Sequence, residues 1–98
     1  MSEIKIISAK DQVRLRPLDA GFAYSYGLFE TIKYAEGVLS FWAGHWSRLK
    51  ASAKALNLEF AFVEGAVLDA IRALVQQDSI RCSMIKLSLL RVEAGVRL

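Results

Sequence analysis

Apolar residues alternate with polar ones, or recur at helical spacing, along almost the whole chain, and this patterning predicts its elements. The Ile-Lys-Ile-Ile run inside residues Glu3 to Ser8 suits a strand. After a turn at Asp11-Gln12, Val13-Arg14-Leu15-Arg16 alternates apolar and basic residues as a half-buried strand does. Pro17 lacks a backbone donor and disfavours helix at Arg16, so Pro17 to Tyr26 reads as an ordered loop carrying Phe22, Tyr24 and Tyr26. Irregular backbone this rich in aromatic rings is expected either to line a pocket or interface or to pack on its own core.

The next stretch predicts a β-hairpin: Leu28 to Tyr34 is strand-like, Glu36-Gly37 supplies the turn, and Val38 to Phe41 returns. Ser40 stands where a helix N-cap belongs, and Trp42, Trp46, Leu49, Ala53 and Leu56 follow at helical spacing as far as Asn57. A second helix is expected from about residue 62 to residue 76, with Val63, Val67, Ile71, Leu74 and Val75 along one face and an Asp69–Arg72 pair outside. Asp78-Ser79 breaks it. Ser83 to Arg91 then sets Ile85, Leu87 and Leu89 against Lys86 and Ser88, the period-2 signature of a strand. These elements make residues 1–98 one α+β domain, with no repeat, low-complexity segment or internal linker.

Composition narrows the function classes. Of the 98 residues 54% are hydrophobic, at or above the usual globular share of about 45 to 50%, so either the core is generous or one face is meant for burial against a partner. A chain of this size buries only about two thirds of the surface it exposes when unfolded, so its stability margin is expected to be thin. The net charge of +3 comes from 13 basic and 10 acidic residues that interleave, without the clustered Lys and Arg of a nucleic-acid footprint, so no nucleic-acid partner is expected. No apolar run approaches the roughly 20 residues needed to cross a bilayer, so no membrane partner is expected either. One cysteine, Cys82, and no signal-peptide pattern point to the cytoplasm. A lone His45 without neighbouring carboxylates or cysteines at ligand spacing gives no metal site and no nucleophilic triad.

Two stretches carry more specific chemistry: Asp19-Ala-Gly-Phe-Ala-Tyr-Ser-Tyr-Gly-Leu-Phe-Glu-Thr-Ile32, and His45-Trp-Ser-Arg48-Leu49 followed by Ala51, Ser52 and Leu56. In order, type and spacing they resemble the N-terminal domain of class IV pyridoxal-phosphate enzymes, the family of branched-chain and D-amino-acid aminotransferases and 4-amino-4-deoxychorismate lyase. The resemblance runs from about Arg14 to Arg91. It implies an antiparallel sheet with a β-hairpin and two helices, the small N-terminal domain of that fold, and pyridoxal 5′-phosphate as cofactor of the complete enzyme, with no stable binding expected to these 98 residues alone. Arg48 matches the arginine that holds the cofactor's phosphate, a role suited to a permanently charged, planar donor on the first turns of a helix. Tyr24 and Phe29 match positions lining the substrate pocket, with core packing as the alternative for each. Glu30, a carboxylate within a hairpin, is expected to be tied to backbone or to Arg48 and its neighbours without acid-base duty, and His45 to orient Arg48 or pack beneath the hairpin.

The chain also departs from the family pattern. It reads Ser25-Tyr26-Gly27 where Gly-Asp-Gly is common, and Ala20 where an arginine is common. Leu89 to Arg97 only loosely matches the segment that holds a substrate carboxylate in D-amino-acid enzymes, with Arg97 the candidate arginine after a one-residue shift. None of Lys5, Lys10, Lys33, Lys50, Lys54 and Lys86 sits in a motif matching the lysine that anchors the cofactor, which the resemblance places in a second, C-terminal domain. Two functions follow as expectations. One is the N-terminal half of an aminotransferase or aminodeoxychorismate lyase, inactive alone, acting on an amino acid or aminodeoxychorismate and completed by a C-terminal domain or by homo-oligomerisation. The other is a non-catalytic interaction or regulatory domain that keeps the family fold.

Overall fold

A computed structural model describes residues 2–8 and 24–92 as four strands and two helices: β1 (Ser2–Ser8), β2 (Tyr24–Ala35), β3 (Val38–Leu39), α1 (Trp42–Ala55), α2 (Glu64–Gln77) and β4 (Cys82–Val92). The expected strand at 13–16, most of the expected loop at 17–26, and Arg97 lie outside the described residues. The strands form one antiparallel sheet in the order β1-β4-β2-β3, so the last strand in sequence occupies a central place between the first two. That position explains the composition of β4. Ile85, Leu87 and Leu89 are all fully buried beneath the helices, as their alternation with Lys86 and Ser88 requires.

Register decides which side chains share a face. Leu28 pairs with Leu89, Glu30 with Leu87 and Ile32 with Ile85, so Glu30 belongs to the same face as the core residues beside it. Phe29 pairs with Ser88 and Thr31 with Lys86 on the other face. Onto the first face pack Trp46, Leu49 and Ala53 of α1 and Val67, Ile71 and Val75 of α2, all buried. Aromatic contacts continue from α1 into the connection: Trp42 stacks on Trp46 at 5.5 Å, Trp46 meets Phe60 edge-on at 5.1 Å, and Phe60 meets Phe62 edge-on at 5.5 Å. The indole N–H of Trp42 donates to Glu64 Oε2 at 2.7 Å, tying the starts of the two helices together.

Several local expectations need correction. Ser40 is not the N-cap: its N–H donates to Lys33 O at 2.9 Å and closes the hairpin, and Phe41 takes the cap position in the left-handed region (φ 57) without a side-chain bond. Tyr24 to Tyr26 belong to β2 rather than to a loop, with an irregularity in the β2–β4 pairing between Tyr24 and Gly27. There Leu89 O would lie 2.8 Å from any Cβ placed on Gly27, which accounts for the glycine. Val63 stands before α2 and is exposed, and Leu56 is also largely exposed, so neither joins the core. The hairpin turn is as expected. Glu36 and Gly37 both have positive φ (46 and 86), the pattern of a type I′ turn, and Arg81 Nη2 holds the Glu36 carboxylate at 2.8 Å.

Both helices end alike. Leu58 N–H donates to Ala53 O at 2.8 Å around Asn57 (φ 59), and Ile80 N–H to Val75 O at 2.8 Å around Ser79 (φ 53). This six-to-one closure around a left-handed residue normally uses glycine, and asparagine tolerates it better than serine. Ser79→Gly is therefore expected to stabilise the fold by about 0.5 to 1 kcal/mol, a rise of a few degrees in thermal midpoint. A midpoint that is unchanged or lower in calorimetry would contradict this account of the turn.

Candidate functional site

Glu30 poses the structural problem that the site solves. Its place on the helix-covered face leaves its side chain only 11% exposed, and a carboxylate there is costly unless it is paired and hydrogen-bonded. The partners come from α1. His45 and Arg48 lie three residues apart on one side of the helix, while Trp46 and Leu49 turn inward. His45 Nδ1 donates to Glu30 Oε1 at 2.6 Å. Arg48 Nη2 donates to the same oxygen at 2.6 Å, and Arg48 Nε lies 3.0 Å from Oε2 and 3.1 Å from Oε1. The carboxylate thus receives the guanidinium side-on, a charge-assisted fork. An ionised carboxylate only accepts, so Nδ1 of His45 carries the proton in this contact. Having no lone pair to offer, that nitrogen does not accept from Arg48 Nη2, and their 3.4 Å approach is proximity alone.

The electrostatics follow from this geometry. The Arg48 bond is the largest influence on Glu30 and lowers its pKa from the ordinary value; burial opposes, and the His45 bond adds to the lowering. Glu30 in turn holds Arg48 yet more firmly in its charged form. A carboxyl with a depressed folded-state pKa stabilises the fold at pH above its unfolded value of about 4.3, and that contribution fades as pH falls through the folded value. Urea midpoints measured from pH 7 downward should therefore decline below about pH 4.5, and the difference between the parent and Glu30→Gln should shrink over the same interval. A difference that does not vary with pH would mean that the carboxylate is not paired in solution.

The other predicted site residues lie elsewhere. Phe29 follows the β2 alternation to the opposite face, where it is 60% exposed, so it is not a core residue. Lys86 Nζ stands 4.4 Å from the centre of its ring, a cation–π contact. Tyr24 opens β2 and pairs with Val92. Arg48, Glu30 and His45 are brought together, whereas Phe29 is separated from them by the thickness of the sheet. The contact of Lys86 with Phe29 is not legible in the sequence; Phe29 pairs with Ser88, and only that register makes Lys86 its diagonal neighbour. An open groove of about 310 Å³ between the hairpin and α2, lined by Tyr34, Val38, Leu39, Trp42 and Ile71 among others, contains none of the predicted site residues. Among the described residues no group of three or more His, Cys, Asp or Glu is placed to hold a metal ion, and no helix is long and apolar enough to cross a membrane.

Arg48 suits a phosphate. Its side chain is 65% exposed, and its bonds to Glu30 use Nε and Nη2 while Nη1 makes none among the described residues. A guanidinium gripped on one edge still has the Nη1/Nη2 edge to offer to two oxygens of an oxyanion.

An antiparallel sheet with two helices on one face, and a strand glutamate clasped by the His-x-x-Arg of the first helix, define the class of domain. The family profile described as amino-transferase class IV matches residues 27–97, and the chain belongs to that family. It is similar to the aminodeoxychorismate lyase of Bacillus subtilis (strain 168), with 29% identity over 92 residues that cover 94% of this chain and 31% of that protein. The chain thus spans about a third of the length of the curated relative it matches. No solved structure matches it.

Proposed function

We propose that this domain supplies the phosphate-holding wall of a pyridoxal 5′-phosphate site in an enzyme of aminotransferase or aminodeoxychorismate lyase type. The observation that carries the reading is Arg48, an exposed guanidinium fixed by Glu30 on one edge and open on the other. When bound, the cofactor serves as an electron sink for bonds at an amino-bearing carbon, and the protein's part is binding and orientation. Arg48 grips the phosphate. Phe29, exposed on the face opposite Arg48, is assigned with Tyr24 and Arg97 to the substrate pocket on the family resemblance. The lysine that anchors the cofactor belongs to a second domain rather than to any lysine of residues 1–98. That domain or a second copy of the chain covers the face bearing Phe29 and Met84, both exposed. The free, exposed Cys82 agrees with a reducing, cytoplasmic setting.

The test separates the phosphate from the ring. Pyridoxine 5′-phosphate and pyridoxine have no aldehyde to react with lysines, and the ratio of their affinities, followed by NMR or by Trp42 and Trp46 fluorescence, measures the phosphate's contribution alone. A preference for the phosphorylated ligand that is lost in Arg48→Ala supports the reading. The same preference in Arg48→Ala as in the parent would exclude it.

A further inference from the structure

An arginine that holds a phosphate must point two N–H groups in one direction, yet a side chain as exposed as Arg48 ordinarily samples many rotamers. Glu30 removes that freedom. It stands on a strand, its carboxylate is mostly buried, and its Oε1 is fixed independently by His45 at 2.6 Å, so it is the rigid member of the pair. Arg48 approaches it through Nε and Nη2, the side-on edge.

We propose that Glu30 is a positioning residue for the phosphate site: it clasps Arg48 by the Nε/Nη2 edge and so presents the Nη1/Nη2 edge to the ligand's phosphate. This rests on the phosphate role proposed for Arg48. The opposite role for Glu30 is a competing anion that occupies Arg48 until the ligand displaces it. The geometry disfavours that role on two counts. A competitor would occupy the edge the phosphate needs, whereas Nη1 makes no bond to Glu30. A displaceable carboxylate would also have solvent to move into, whereas this one is 11% exposed and held by His45. The two roles predict effects of opposite sign.

The experiment measures the affinity ratio of pyridoxine 5′-phosphate to pyridoxine in the parent, Glu30→Gln, Arg48→Ala and the double variant, with folding checked by circular dichroism. Releasing one rotamer-rich side chain is expected to lower the phosphate preference about three- to tenfold in Glu30→Gln. In the Arg48→Ala background the Glu30 substitution should change nothing, since a positioning residue acts only through what it positions. A rise in preference on Glu30→Gln would make Glu30 a competitor and overturn the proposal. Equal losses with and without Arg48 would show a general structural effect and overturn it as well. No change in Glu30→Gln, with the preference lost in Arg48→Ala, would reject the positioning role and leave the phosphate role of Arg48 standing. A preference that survives Arg48→Ala would remove both. If Glu30→Gln does not fold, the parent still decides: the Arg48 Nε–H resonance should be slowed in hydrogen exchange before any ligand is added, and exchange as fast as in free arginine would overturn the clasp.

Discussion

Replacing Arg48 with alanine is expected to reduce the preference for a phosphorylated pyridoxine by roughly ten- to a hundredfold, and replacing it with lysine to recover only part of the loss. A charge-assisted hydrogen bond contributes about 1.5 to 3 kcal/mol, which for a bidentate pair corresponds to two or more powers of ten in affinity. The Arg48 side chain is 65% exposed and its charge is already shared with Glu30, so solvent screening brings the expectation below that range, to about one to two powers of ten. Lysine keeps the charge, but its single ammonium is a point charge that cannot present the planar pair of parallel donors a guanidinium offers while also bonding Glu30. Arg72 provides the control. It sits on the surface of α2 in an i,i+3 pair with Asp69 at 3.1 Å, and Arg72→Ala should leave the ratio within about twofold, as expected for an exposed pair of little energetic consequence. A comparable loss in Arg72→Ala would reveal a diffuse field from the domain's positive charge rather than a site.

Much of the site was legible because it obeys simple periods. His45 and Arg48 are three apart in a helix, and Glu30 shares the parity of Leu28 and Ile32, so a carboxylate on the covered face facing two potential partners could be anticipated. The edge of Arg48 that Glu30 occupies could not, because it depends on the angle at which α1 crosses β2. The same division holds for the fold. The alternation of Ile85, Leu87 and Leu89 identified β4, but its central place between β1 and β2 is a long-range pairing that no local pattern records. Ser40 misled because serine satisfies both a cap and a hairpin, and the hairpin's bond to Lys33 O took precedence. The cation–π contact of Lys86 with Phe29, which adds chemistry to the open face, depends on register and so has no local signal.

That contrast between the two faces leads to the second large effect, in stability rather than binding. Leu87→Ala is expected to destabilise the fold by about 2 to 5 kcal/mol, the usual cost of truncating a fully buried leucine. Leu87 is 0% exposed in the core cluster and pairs with Ile6 on one side and Glu30 on the other, so the cavity would open beneath both helices at the centre of the sheet. A domain of this size has only about 5 to 15 kcal/mol in total, and about 4 to 8 °C of thermal midpoint is lost per kcal/mol. The variant should therefore melt well below the parent, and with the upper end of the cost set against the lower end of the total it would be largely unfolded at 37 °C. Phe29→Ala removes a larger side chain one residue before Glu30 in the same strand, yet it should cost only about 1 kcal/mol, because the ring is 60% exposed and loses chiefly the Lys86 contact. If Phe29→Ala melted as low as Leu87→Ala, the open face would be a second core rather than a binding surface, and the assignment of Phe29 to the pocket wall would fail.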